Sequence, residues 1–214
     1  MKKNALLSHF VALLIVSLFC IQNSLPASFF DALPQPETIF SALIQSQLIS
    51  VPLLLFPVVF TLCLPGGWSI VKSWFAKPTI TFRGWCWLCF MIIFFSNAFL
   101  TVISPDEQQP IVAMFEQLAG WQVLVIAGCI SLLVPCVEEL LFRGVMMQGL
   151  PAPIAILYSS VLFALAHGIN SYVVPIFFTG WMLAMVRLRS GSIITSIACH
   201  AALNGLSLAI TFFL

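Results

Sequence analysis

The stretch Trp121–Gly149, WQVLVIAGCISLLVPCVEELLFRGVMMQG, decides how this chain folds. It is longer than the roughly 20 helical residues needed to cross a bilayer core about 30 Å thick. Its only carboxylates and guanidinium are Glu138, Glu139 and Arg143, held in one short cluster. A charge near the bilayer midplane costs about 2.5–3.5 kcal/mol on insertion scales. Charges kept there pair with one another, line a watery cavity or do chemistry.

Composition extends that reading to the whole chain. Of 214 residues, 61% are hydrophobic and only 7% charged, and the mean hydropathy is +1.11. Soluble domains carry roughly 25% charged residues, so lipid must solvate most of this surface. Apolar runs of spanning length fall at about 5–22, 43–64, 85–103, 121–149, 152–169, 172–188 and 192–213. Between them stand breakers such as Pro65-Gly66-Gly67, Ser104-Pro105-Asp106, Gly149-Leu150-Pro151 and Arg189-Ser190-Gly191. The alternation of barrel strands is absent, which leaves helices. The expected fold is all-α, a polytopic transmembrane helix bundle of about seven spans, within a range of six to eight. It forms one membrane domain, with three spans in residues 1–120 and the functional core in 121–214.

Loop charges orient the bundle. Numbered from the amino terminus, one side holds Lys2, Lys3, Lys72, Lys77, Arg83, Arg187 and Arg189. The other holds Asp31, Glu37, Asp106, Glu107 and Glu116, with no lysine or arginine. That asymmetry predicts a cytoplasmic amino terminus. The run after Met1-Lys2-Lys3 is long for a signal peptide, and Asn23–Ala27 is a loose cleavage site, so a retained first span is expected. A net charge of +1 points to no nucleic-acid partner. The seven cysteines lie in apolar runs, where cysteine acts as a small hydrophobe. Cys86 and Cys89 have redox-motif spacing without the soluble βαβ context.

Glu139 and Arg143 are four apart, so they share a helix face and can pair. Glu138 points about 100° away and has no local basic partner. Two later histidines offer company. His167 closes Phe163-Ala-Leu-Ala-His167, and His200 opens His200-Ala-Ala-Leu-Asn204, with Asn204 one turn on. Counted from the expected cytoplasmic helix ends, Glu138, His167 and His200 lie about 18, 21 and 14 Å deep. Three helices can thus bring a carboxylate, two imidazoles and an amide to one cavity. Each element also has a structural reading. A transmembrane histidine or asparagine serves as an interhelical hydrogen bond, Glu139–Arg143 as a self-neutralising pair, and Pro135 as a kink that opens carbonyls or makes room for a pocket. His9 reads as interfacial.

Taken together, Glu138-Glu139-Leu-Leu-Phe-Arg143, Phe163-x-x-x-His167 and His200-x-x-x-Asn204 resemble the three motifs of the CAAX-protease and bacteriocin-processing (CPBP, or Abi) family. These are intramembrane endopeptidases that include the type II CAAX prenyl proteases. The resemblance covers about residues 121–214, and seven spans is one fewer than the eight usual in the prenyl proteases. It implies a peptide hydrolase of the glutamic-protease kind, in which Glu138 activates water with help from His167. His200 and Asn204 would then be oxyanion donors. Glu139, Arg143 and Phe163 would support the site structurally. The resemblance implies no cofactor. The alternative is zinc on Glu138, His167 and His200, a ligand set found in zinc hydrolases. No serine or cysteine stands in a nucleophile arrangement.

The implied partners are the lipid bilayer and a peptide or protein substrate, either prenylated or a leader or sorting segment. Low charge and short loops are bacterial in style, which suggests an inner (plasma) membrane. Two other classes remain open at this level. One is a small ion-coupled transporter, since intramembrane Glu and His form proton relays. The other is a non-catalytic immunity or binding protein.

Overall fold

The computed structural model describes residues 2–24, 38–81, 115–169 and 172–213, with single positions at 113 and between 84 and 94. Among these residues all regular structure is helical. The helices are α1 (Lys2–Ser24), α2 (Ile39–Cys63), α3 (Gly67–Trp74), α4 (Gly120–Val145), α5 (Ala152–Ala166), α6 (Val173–Ser190) and α7 (Ile193–Phe213). Five of them, α1, α2, α4, α6 and α7, are long and apolar enough to cross a membrane. Large apolar side chains face outward on all five, Leu124 among them at 74% exposure. A surface of that kind requires lipid, and the chain is an integral, multi-pass membrane protein. The expected span at 85–103 lies largely outside the described residues, as do Asp31, Glu37, Arg83, Cys86, Cys89, Asp106 and Glu107.

Two helices differ from the sequence expectation. α3 stands where hydropathy alone predicts a loop. It is short and amphipathic, burying Val71 and Trp74, so it carries no spanning-length apolar run to announce it. α5 begins at the expected position but ends at Ala166, where Gly168 takes a φ of +92°. Its 15 residues cover about 22 Å at 1.5 Å per residue, short of a bilayer core. His167 therefore caps a helix that stops within the bundle.

α4 is the axis. Its segments Cys129–Leu133 and Leu140–Val145 have π-helical hydrogen bonding, and Val134–Glu139 between them is α-helical. Pro135 explains the first π segment. In the π register the Val134 N–H bonds to Cys129 O. The Ile130 carbonyl would next look to residue 135, but proline has no N–H to give. Ile130 O is left for a partner from another helix. π segments of this sort recur at functional sites.

Around α4 the core is Leu141, Phe142, Val145 and Met146 packed with Phe163 of α5, Ile193 of α7, Trp74 of α3, Leu54 and Val58 of α2, and Ala12 and Val16 of α1. Close approaches are made by glycine. At Gly144 a Cβ would fall 2.7 Å from the Trp74 ring, and at Gly180 it would fall 3.1 Å from Phe163 Cδ1. Polar staples join the helices. Thr61 Oγ1 lies 3.0 Å from Ser8 Oγ between α2 and α1. At the end carrying Lys72, Lys77, Arg187 and Arg189, the Thr79 N–H donates to Ser190 O at 3.0 Å, and Asn4 Nδ2 donates to Pro65 O at 2.9 Å. The basic residues thus gather at the end where α2 finishes and α7 begins.

Candidate active site

α4 ends at Val145, four residues before the limit of the apolar run, so Glu138 and His200 each stand seven residues from the basic end of their helices, about 10 Å. His167 reaches the same level from the end of α5. Glu138 Oε1 lies 3.8 Å from His167 Nε2, and Glu138 Oε2 lies 3.7 Å from His200 Nε2. The structure therefore brings the carboxylate and both imidazoles together. Exposure is graded across the three, at 12% for the Glu138 side chain, 5% for His200 and 34% for His167. The site opens on the His167 side.

Each imidazole is held by its other nitrogen. His167 Nδ1 is 2.8 Å from Phe163 O, an acceptor only, so Nδ1 carries the proton. His200 Nδ1 is 3.0 Å from Glu139 Oε1 and donates to that carboxylate. Both Nε2 atoms are thereby turned on Glu138. Distances of 3.7–3.8 Å are too long for direct hydrogen bonds. They suit a water or a substrate oxygen lying between.

Glu139 does more than neutralise Arg143. The pair is fully buried, with Arg143 Nη1 3.0 Å from Glu139 Oε1. The same carboxylate accepts from His200 Nδ1 and, at Oε2, from the Ser196 hydroxyl. Arg143 Nη2 donates to Gly180 O at 3.0 Å, and its guanidinium lies 4.5 Å from the centre of the Phe163 ring. The cost of burying two charges is offset only where hydrogen bonds answer most of their polar atoms, as they do for this carboxylate. Phe163 also packs 4.7 Å from the His167 ring and 5.6 Å from the His200 ring, so one side chain braces Arg143 and both imidazoles.

Asn204 is placed differently. Its Nδ2 donates to Ile130 O at 3.0 Å, filling the carbonyl that Pro135 leaves without an N–H. Ser196 and Gly180 escaped the sequence reading. A signal for Ser196 existed: Ser196, His200 and Asn204 recur every fourth residue and form one stripe on α7. Gly180 contributes only a carbonyl and a close approach, which no side chain advertises. Cys199 is buried in a separate apolar cluster with Leu183, Val186 and Leu203.

No curated protein and no solved structure matches this chain. A family model does, over the segment that supplies Glu138, Glu139, Arg143, His167 and His200. Residues 120–206 match the family described as type II CAAX prenyl endopeptidase Rce1-like, a CAAX protease family of the kind its three motifs resemble.

Proposed function

We propose that this protein is an intramembrane endopeptidase that hydrolyses a peptide bond in a membrane-associated or lipidated peptide, with Glu138 as general base. The observation that carries the reading is the convergence of two pinned imidazoles on one carboxylate, at 3.7 and 3.8 Å. A water between these groups donates one hydrogen to Glu138 and one to His167 Nε2. As its oxygen attacks the scissile carbonyl, Glu138 takes the proton and later passes it to the leaving amine. His200, protonated on Nε2, donates to the developing oxyanion. Glu138, Glu139, Arg143 and that imidazolium then sum to zero charge. Asn204 keeps a second N–H on Nδ2 for the oxyanion while the first serves Ile130 O. The catalytic core on this reading is residues 121–214, with the first three spans as its scaffold.

The reading is metal-free. Zinc on Glu138, His167 and His200 is the alternative, a ligand set found in zinc hydrolases, and a chelator distinguishes the two. The basic end, with Lys72, Lys77, Arg187 and Arg189, supports a cytoplasmic amino terminus, and the low charge and short loops favour a bacterial inner membrane. Candidate substrates are a prenylated carboxy-terminal peptide and a leader or sorting segment.

The test is cleavage of a panel of both peptide classes by the purified protein. The expected result is one cleaved class, activity that survives a chelator, and loss of cleavage in Glu138→Ala, His167→Ala and His200→Ala. Variants that cleave as well as the wild type would remove the assignment, and loss of activity on chelation would replace the metal-free step.

A further inference from the structure

Away from Glu138, at the basic end of the bundle, a cavity of about 770 Å³ lies between α1, α3, the end of α4 and the last turn of α6. That volume is within the range of small-molecule sites. Its polar lining includes His9, Arg143, Gln148 and Arg187, and no carboxylate lines it among the described residues. Its apolar lining includes Leu6, Ile70, Trp74 and Leu188.

The two guanidinium groups differ in what answers them. Arg143 is paired with Glu139, although its buried Nε has no hydrogen-bond acceptor. Arg187 has neither an ion pair nor a hydrogen bond among the described residues, and its Nε is buried without an acceptor. The carboxy-terminal dipole of α6 favours a cation in the last turn. It supplies no acceptor to that N–H. A cation half-withdrawn from water and facing a cavity is stabilised by an anion placed there.

The apolar lining identifies the kind of anion. Leu6 and Leu188, at 72% and 40% exposure, carry the cavity lip onto the lipid-facing surface. His9 Nε2, 2.8 Å from Gln148 O, fixes α1 against the end of α4 and holds the opposite wall. A ligand matching this lining is charged at one end and has a hydrocarbon tail at the other. We propose that the cavity binds one anionic phospholipid, with its phosphate on the Arg187 guanidinium and its acyl chains leaving past Leu6 and Leu188. The site does not depend on the chemistry at Glu138.

The experiment uses the full chain, stripped of lipid in non-ionic detergent. Thermal unfolding is followed with phosphatidylglycerol, phosphatidylcholine or inorganic phosphate added. Phosphatidylglycerol is expected to raise the midpoint by several degrees, the other two to leave it in place, and Arg187→Gln to abolish the rise. Native mass spectrometry of the wild type needs no variant, and one phosphatidylglycerol retained in preference to phosphatidylcholine is expected. Equal shifts with both lipids, an equal shift with phosphate alone, a full shift in Arg187→Gln, or equal retention of both lipids would overturn the proposal.

Discussion

His200 Nδ1 donates to Glu139 Oε1 at 3.0 Å, and Glu139 in turn is held by Arg143 at the same distance. The neighbouring carboxylate, Glu138, faces the opposite nitrogen of that imidazole at 3.7 Å. Adjacent glutamates thus have opposite duties: one fixes the ring and the other meets what the ring faces. Helical geometry provides this, since successive residues point about 100° apart.

The buried pair gives a stability prediction. Removing Glu139 strands a fully buried guanidinium, which costs roughly 3–5 kcal/mol. Glu139→Ala is therefore expected to lower the unfolding midpoint in detergent more than the double variant Glu139→Ala/Arg143→Met does. A double variant less stable than the single one would contradict the pairing.

Asn204 and Pro135 are predicted to be coupled. Asn204→Leu leaves Ile130 O without a partner in an apolar setting, a loss of about 1–3 kcal/mol. Pro135→Ala restores an N–H that can reach that carbonyl. In the Pro135→Ala background the Asn204→Leu penalty is expected to shrink by at least half. Thermal unfolding of the four proteins measures it, and equal penalties in both backgrounds would show that Pro135 does not create the demand.

At Gly144 a methyl group would meet the Trp74 ring at 2.7 Å. Overpacking of this kind costs typically about 1–3 kcal/mol. Gly144→Ala is expected to destabilise the protein by that amount, and Trp74→Leu added to it to recover part of the loss. An undisturbed midpoint in Gly144→Ala would mean that α3 gives way without cost.

Much of this architecture is legible in the chain, because bilayer thickness turns hydrophobic length directly into helix number. The meeting of Glu138, His167 and His200 is legible for a related reason: polar groups inside lipid must find one another, although counting along the apolar runs sets Glu138 and His200 deeper than the helix ends at Val145 and Ile193 place them. Three features were not. α3 is too short to announce itself by hydropathy. The π register of Cys129–Leu133 depends on which N–H groups are spare, so Pro135 hints at it without specifying that Ile130 O receives Asn204. Glu139 had an adequate partner four residues away, which concealed its bonds to His200 and Ser196 across 61 and 57 residues of sequence.

The most direct test of the central claim is the rate of peptide cleavage by Glu138→Gln beside the wild type, in one detergent and on one cleaved peptide. Glutamine keeps the shape of the side chain and removes its basicity. The expected result is a fall of about 10²–10⁴-fold, the range ascribed to general-base catalysis, with the unfolding midpoint unchanged. Cleavage by Glu138→Gln at the wild-type rate would contradict it.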